Sequence, residues 1–278
     1  DQTINYPDPD CSRLKEAISK EDAVSETKIA CGNGGADLLY RLAFGLHPKK
    51  VLLPAPAFVE YEEALSAAGA QMEYYLMRDD FVIKEDILEQ ITEETDFVVI
   101  CNPNNPTGHA ISKLEMIQIC EAFSNIPVIF DEAYMEFAKG SGVDPQDLRP
   151  LNKLKLVAGS TLALTGKYSN FMCLRTFSKA YGLAGLRVGY AVGSAGIMRV
   201  LGKTLLPYHV NAWSLAVAEE VYRQKDLYKE QLETIIEQRD LMREQLEQMG
   251  LKIWPSATNF LTCCPQGELT ARLAAACE

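Results

Sequence analysis

Positive charge is the first thing this sequence is short of. It has 27 Lys and Arg against 38 Asp and Glu, a formal net charge of −11. An acidic balance argues against a nucleic-acid or anionic-membrane surface. It also means that any phosphate-bearing ligand must be held by a local site against the global field. None of the eight Cys forms a C-x-x-C pair, and the three His residues (His47, His109, His209) lie far apart, so no metal site is expected. No apolar run approaches the length of a membrane span, and no signal-peptide pattern opens the chain. Several Cys sit inside apolar runs, as Cys101 does after Val98-Val99-Ile100, and read as buried, reduced thiols of a cytoplasmic protein. Internal repeats and low-complexity stretches are absent as well.

What is present is an ordinary globular composition: 278 residues, 47% hydrophobic and 23% charged, enough for one large domain or two smaller ones. Short apolar runs alternate with amphipathic helical patterns. Strands are expected over 51–54, 72–76, 97–101, 128–130, 171–174 and 188–192, and helices over 36–44, 61–68, 84–91, 113–123 and 180–183. That alternation predicts an α/β fold, a mostly parallel sheet with helices on both faces. Residues 213–249 read as a long, charge-rich linking helix with Gly250 as its C-cap. Short strands at 251–254 and 260–263 would begin a second, smaller α/β domain expected to continue past Glu278. The irregular stretch 139–170 reads as a surface excursion or loop.

Five motifs carry chemistry. The strongest is Arg175-Thr176-Phe177-Ser178-Lys179-Ala180-Tyr181-Gly182-Leu183-Ala184-Gly185-Leu186-Arg187. A lysine that forms a Schiff base needs a desolvated, electropositive setting. Arg187 could supply that charge and bind a phosphate, with Thr176 and Ser178 as hydroxyl donors. Asp131-Glu132-Ala133-Tyr134 follows the apolar run Val128-Ile129-Phe130, which puts a carboxylate at the C-terminal end of a parallel strand, where ligands bind in such sheets. Asp131 could face a protonated pyridine nitrogen and Tyr134 a ring hydroxyl; read alone, the Asp is an ordinary helix cap. Cys101-Asn102-Pro103-Asn104-Asn105-Pro106-Thr107-Gly108 is a rigid polar turn from which Asn105 could donate to a ring oxygen. Gly32-Asn33-Gly34-Gly35-Ala36-Asp37 opens a helix, where backbone N–H groups converge on an anion. It lacks the G-x-G-x-x-G spacing, so a dinucleotide site is rejected. Phe58, in Pro54-Ala55-Pro56-Ala57-Phe58-Val59-Glu60-Tyr61, could stack on a planar cofactor or serve only as a core aromatic.

In this order the five motifs resemble the aminotransferase class I/II family, which binds pyridoxal 5′-phosphate (PLP). Within it the chain is similar to the branch that holds histidinol-phosphate aminotransferases and threonine-phosphate decarboxylases. Tyr6-Pro7-Asp8-Pro9-Asp10 and Pro207-Tyr208-His209-Val210-Asn211 match signatures of that branch.

The resemblance implies an aspartate-aminotransferase-like fold (PLP fold type I), a homodimer, and a small amino acid and a 2-oxo acid as substrates. It implies an N-terminal arm over 1–22, a large PLP-binding domain over 23–212, and a linking helix with the start of a small domain over 213–278. Lys179 would be the Schiff-base lysine. Asp131 would face the pyridine nitrogen, Tyr134 and Asn105 the ring oxygen, and Phe58 the ring face. The Gly35 and Ala36 amides, Thr176, Ser178 and Arg187 would hold the cofactor phosphate, and Tyr6 would reach the partner subunit's site.

Some residues depart from the aminotransferase pattern. Ala36 stands where that branch carries an Asp, and Leu46-His47-Pro48-Lys49-Lys50 and Phe58-Val59-Glu60-Tyr61 look more like the decarboxylases. The lysine segment and residues 207–214 look more like the aminotransferases. The family's C-terminal arginines, which grip substrate carboxylate or phosphate, have no counterpart in these 278 residues. An aminotransferase, with Lys179 also moving the α-proton, is therefore expected ahead of a PLP decarboxylase. A non-enzymatic ligand-sensing module is the third reading, and no basic DNA-binding segment supports it.

Overall fold

A computed structural model describes residues 4–83, 85–138, 160–164 and 167–264. The elements run α1 (Ser12–Asp22), β1 (Ile29–Gly32), α2 (Gly35–Leu46), β2 (Lys50–Ala55), α3 (Glu60–Ala67), β3 (Gln71–Leu76), β4 (Phe97–Cys101), α4 (Lys113–Ala122), β5 (Val128–Asp131), β6 (Phe171–Thr176), β7 (Gly189–Gly193), α5 (Ala195–Lys203), α6 (Ala212–Arg223), α7 (Lys229–Gln248), β8 (Lys252–Ile253) and β9 (Cys263–Cys264).

The first seven strands form one sheet in the order β1-β7-β6-β5-β4-β2-β3. The pairs β2–β3, β2–β4, β4–β5 and β5–β6 are parallel, and β7 runs antiparallel to both its neighbours. Strand β1 therefore points the same way as the parallel strands, and the carboxyl ends of β1, β2, β4, β5 and β6 share one edge. The expected mostly parallel α/β architecture is the observed one.

Both sheet faces are covered, so the central strands are apolar on both sides. Along β4, Phe97, Val99 and Cys101 face a core shared with α2, α3 and α5, while Val98 and Ile100 face the core under α4. A third core joins α1 and α6 to β1, β6 and β7, through Leu14 and Ile18, Ala218 and Tyr222, and Cys173 and Tyr190. Helix α4 starts with a reciprocal cap. Ser112 Oγ accepts from the Glu115 N–H at 3.2 Å, and Glu115 Oε2 accepts from the Ser112 N–H at 2.6 Å.

Several expectations are corrected. The helix expected over 180–183 is a turn closed by the Gly182 N–H on the Lys179 carbonyl and the Leu183 N–H on the Phe177 carbonyl. The segment 84–91 is a 3-10 helix over Glu85–Gln90, with residue 84 outside the described residues. The long helix over 213–249 is two helices, broken by a 3-10 turn at Lys225–Tyr228. There Lys225 Nζ reaches back to the Glu21 carbonyl and to Asp22 Oδ1 at the end of α1. The late strands shrink to the two-residue pair β8–β9. Helix α1 was hidden by its charge, although Leu14, Ala17 and Ile18 keep helical spacing on its buried face. Helix α5 was hidden by Gly196 and Gly202. Most of the stretch 139–170 lies outside the described residues, but Ser160, Thr161, Leu162 and Leu164 are buried rather than on the surface.

Candidate active site

The shared edge of carboxyl ends collects the motifs. Register alone aligns much of it: Gly32 is paired with Gly189, Gly189 with Thr176, Leu174 with Asp131, and Asp131 with Cys101. Each motif follows its strand directly, so adjacent strands bring residues tens of positions apart into one crevice.

One end of the crevice is a cationic cradle. Gly34 caps α2 with φ +88, and a Cβ added there would lie 2.5 Å from Arg187 Nη2. Only a glycine lets the Arg187 guanidinium rest against this turn. Gly35 and Ala36 open α2, so their N–H groups belong to the unsatisfied first turn of a helix. Thr176 and Ser178 hydroxyls lie 2.9 Å apart, and Arg187 Nη1 donates to Ser178 Oγ at 3.4 Å and to the Ala184 carbonyl at 3.1 Å. Arg187 has φ 52, a left-handed backbone for a residue with a Cβ. Among the described residues no carboxylate pairs with Arg187. Backbone amides, two hydroxyls and a guanidinium without a carboxylate partner form a donor set suited to a phosphate dianion.

At the centre is Asp131, 8% exposed. Its Oδ1 accepts from the Ala133 N–H at 3.0 Å, and its Oδ2 accepts from the Tyr61 hydroxyl at 2.7 Å. Burial holds its carboxyl above the ordinary carboxylate range; the Tyr61 and Ala133 hydrogen bonds and the charge of Lys179 work the other way. Lys179 Nζ lies 5.2 Å from the centroid of the Tyr134 ring. Lys179 is exposed. Tyr134 is buried and packs edge-on against Phe260, ring centroids 5.3 Å apart.

The three Asn of the turn separate by role. Asn102 accepts from the Ile111 N–H, and Asn104 donates to the Pro56 carbonyl and to Thr107 Oγ1. Both lock the loop, while Asn105 is the half-buried one on its rim. Phe58 is 41% exposed and meets Tyr61 edge-on at 5.7 Å. Tyr6 is 80% exposed and stacks on Tyr208 with ring centroids 4.5 Å apart. A cavity of about 770 Å³ lies between Thr107–Ala110 and Trp254–Ala257, beside the Asn turn.

Two features were not read from the sequence. Tyr61 was seen only as part of the Phe58 segment, and its spacing three residues after Phe58 was the one available signal. Behind the strand ends lies a buried ionic network. Arg175 donates to Glu132 Oε2 (Nε, 2.9 Å), to Glu136 Oε1 (Nη1, 2.9 Å) and to Ser160 Oγ (Nη2, 2.7 Å). Thr161 Oγ1 and the Thr161 N–H both donate to Glu132 Oε1. Glu132 directly follows Asp131 and Arg175 directly precedes Thr176, so the network ties together the two strand ends that carry the site.

The residues present fit PLP. The cradle would take its phosphate, Asp131 would offer a carboxylate to its ring nitrogen, and Lys179 would offer an amine to its aldehyde.

The chain matches the model of the family Aminotransferase class I and II over residues 2–272. It is 35% identical over 261 residues to a histidinol-phosphate aminotransferase of a Thermoanaerobacter species, covering 92% of this chain and 68% of that one. A crystal structure of histidinol-phosphate aminotransferase from Sinorhizobium meliloti in complex with pyridoxal-5′-phosphate superimposes with a TM-score of 0.83 at 26% identity, over 97% of this chain and 70% of that one. L-threonine-O-3-phosphate decarboxylase from Porphyromonas gingivalis shares the fold, with a TM-score of 0.76 at 23% identity over 94% and 74% of the two chains.

Proposed function

This chain belongs to the aminotransferase class I and II family, and on that premise we propose that it moves the amino group of histidinol phosphate, or of a close phosphorylated analogue, to or from a 2-oxo acid. It is a PLP-dependent aminotransferase. The observation that carries the substrate is the 35% identity, over 92% of the chain, to a histidinol-phosphate aminotransferase. The bound cofactor would supply an electron sink for the pair released when a bond to the substrate α-carbon breaks.

The chain's own residues divide the remaining work. Lys179 would hold the cofactor through its amine, and its Nζ is the group that would move the α-proton of a bound amino acid. Asp131 offers a carboxylate to the ring nitrogen, and Tyr134 and Asn105 serve the ring oxygen. Phe58 covers one ring face. Gly35, Ala36, Thr176, Ser178 and Arg187 would hold the phosphate. The same reading includes a large domain over 23–212, a homodimer in which Tyr6 serves the opposite site, and a cytoplasmic location. Among the described residues no helix is long and apolar enough to cross a membrane.

The full-length protein decides the substrate. Transamination of histidinol phosphate with 2-oxoglutarate is expected to be fast, and release of carbon dioxide from threonine phosphate negligible; the reverse result overturns the assignment. The decarboxylase-like residues around Ala36 and Phe58 make threonine phosphate the right comparison. Borohydride should fix the cofactor to the wild-type chain and not to Lys179→Ala. A reducible link retained in that variant would assign the anchor to another lysine.

A further inference from the structure

Asp131 is a buried carboxylate with both oxygens engaged, and one of the partners belongs to neither its strand nor its loop. Tyr61 sits in the first turn of α3, 1% exposed, 70 residues away in sequence. Its hydroxyl lies 2.7 Å from Asp131 Oδ2. An ionised carboxylate has no proton to give, so the proton in this bond is the one on Tyr61. Cys101 also lies beside the Tyr61 hydroxyl, but its thiol faces the Pro103 carbonyl, with Sγ 3.3 Å from that oxygen. Burial pushes the Cys101 thiol up to about 12. Burial and the neighbouring Asp131 charge likewise push the Tyr61 hydroxyl well above its ordinary value, so it stays a donor. The other donor to Asp131, the Ala133 N–H, comes from the strand's own continuation and cannot be varied independently. Tyr61 is thus the one side chain among the described residues bonded to this carboxylate.

We propose that Tyr61 is a positioning residue of the cofactor site, whose hydroxyl fixes the orientation of the Asp131 carboxylate toward the ring nitrogen of PLP. The inference rests on the assignment of Asp131 to that nitrogen. Tyr61 touches neither cofactor nor substrate in this role. It opposes the effect of burial on Asp131, and it removes the rotational freedom of a carboxylate that must meet one atom from one direction.

The test measures binding rather than turnover. Cofactor-free wild type and Tyr61→Phe are titrated with PLP and with the analogue carrying a C–H in place of the ring nitrogen. Tyr61→Phe removes one oxygen and keeps the ring, so the packing around α3 is retained. It should weaken PLP by about tenfold while changing the analogue's affinity by less than about threefold, as expected for losing one hydrogen bond to a charged group. Equal weakening of both ligands, or of neither, overturns the proposal, because a purely structural role does not distinguish nitrogen from carbon. A double-mutant cycle separates the two layers. In an Asp131→Ala background, Tyr61→Phe should no longer alter the preference for PLP over the analogue; a persisting effect would place Tyr61's action elsewhere and overturn the proposal. If Asp131→Ala alone leaves that preference unchanged, the assignment of Asp131 fails and the proposal falls with it. If Asp131→Ala abolishes the preference and Tyr61→Phe does not touch it, the assignment of Asp131 stands and only the proposal for Tyr61 fails.

Discussion

A carboxylate at the end of a parallel strand can be read from sequence, but the energetic compromise it makes cannot. Burial raises the proton affinity of Asp131 in the folded chain above its unfolded value. A group shifted in that direction contributes stability that is fully present below the unfolded value, about 3.9 for Asp, and that is lost as pH rises through the folded one. At neutral pH the ionised Asp131 therefore detracts from the stability of the cofactor-free protein. Asp131→Asn, in which the amide can donate to the Tyr61 oxygen, is expected to melt at a higher temperature than wild type at pH 8, with the difference closing as pH falls toward the unfolded value. Thermal melts across that range check the sign; a difference that grows on acidification would show that burial is not the governing effect. The same variant should lose on the order of 10²-fold in transamination rate, as preorganised charge partners do. Stability and activity then move in opposite directions at one residue, a pattern expected where a group is kept for function.

Among the elements, β5 and β6 are held by more than their ladder. Arg175 is 4% exposed and bridges Glu132, which is fully buried, and Glu136. Burial raises the Glu136 carboxyl and the Arg175 charge opposes it. Arg175→Leu would leave two buried carboxylates without their cation, at a cost of about 3–5 kcal/mol measured by denaturant unfolding. A cost below about 1 kcal/mol would mean that the carboxylates are relieved by water or by protonation. Ser112→Ala, at the cap of α4, should cost about 1 kcal/mol. That substitution lies away from the cradle, so PLP affinity should be unaffected. Elements were legible where an apolar run or a helical period was strong, as in β4 and α2 respectively. They were misread where a helical pattern breaks or turns over a few residues. The 213–249 helix breaks at Lys225–Tyr228, where Lys225 also pairs with Asp22 of α1, and the 180–183 segment turns at Gly182, φ +66, whose N–H closes on the Lys179 carbonyl.

At the scale of the whole molecule, the question is what Tyr6 serves. Tyr6 is exposed and stacked on Tyr208 rather than on any residue of the cradle. If Tyr6 serves the opposite site of a C₂ dimer, mixing inactive Lys179→Ala subunits with impaired Tyr6→Ala subunits should restore part of the activity, because some hybrids hold one intact site. Absence of rescue after proven subunit exchange would mean that each subunit completes its site alone. PLP should also stabilise the whole fold, by about 2.7 kcal/mol at a hundredfold excess over its dissociation constant. Lys179→Ala should lose part of that gain, and Thr176→Ala with Ser178→Ala a further part, each read from the shift in melting temperature on adding PLP.

The sequence alone determined the strand–helix alternation, the family's five motifs and the place of Lys179, Asp131 and Arg187 at or after the carboxyl ends of strands, because each is written in short-range patterns of period, turn residues and spacing. Tertiary structure alone decided which carboxylate oxygen meets Tyr61, that Gly34 makes room for Arg187, and that Arg175 joins Glu132 to Glu136 behind the crevice. Those contacts join residues far apart along the chain, and the strand order that makes them neighbours emerges only when every strand has packed against every helix.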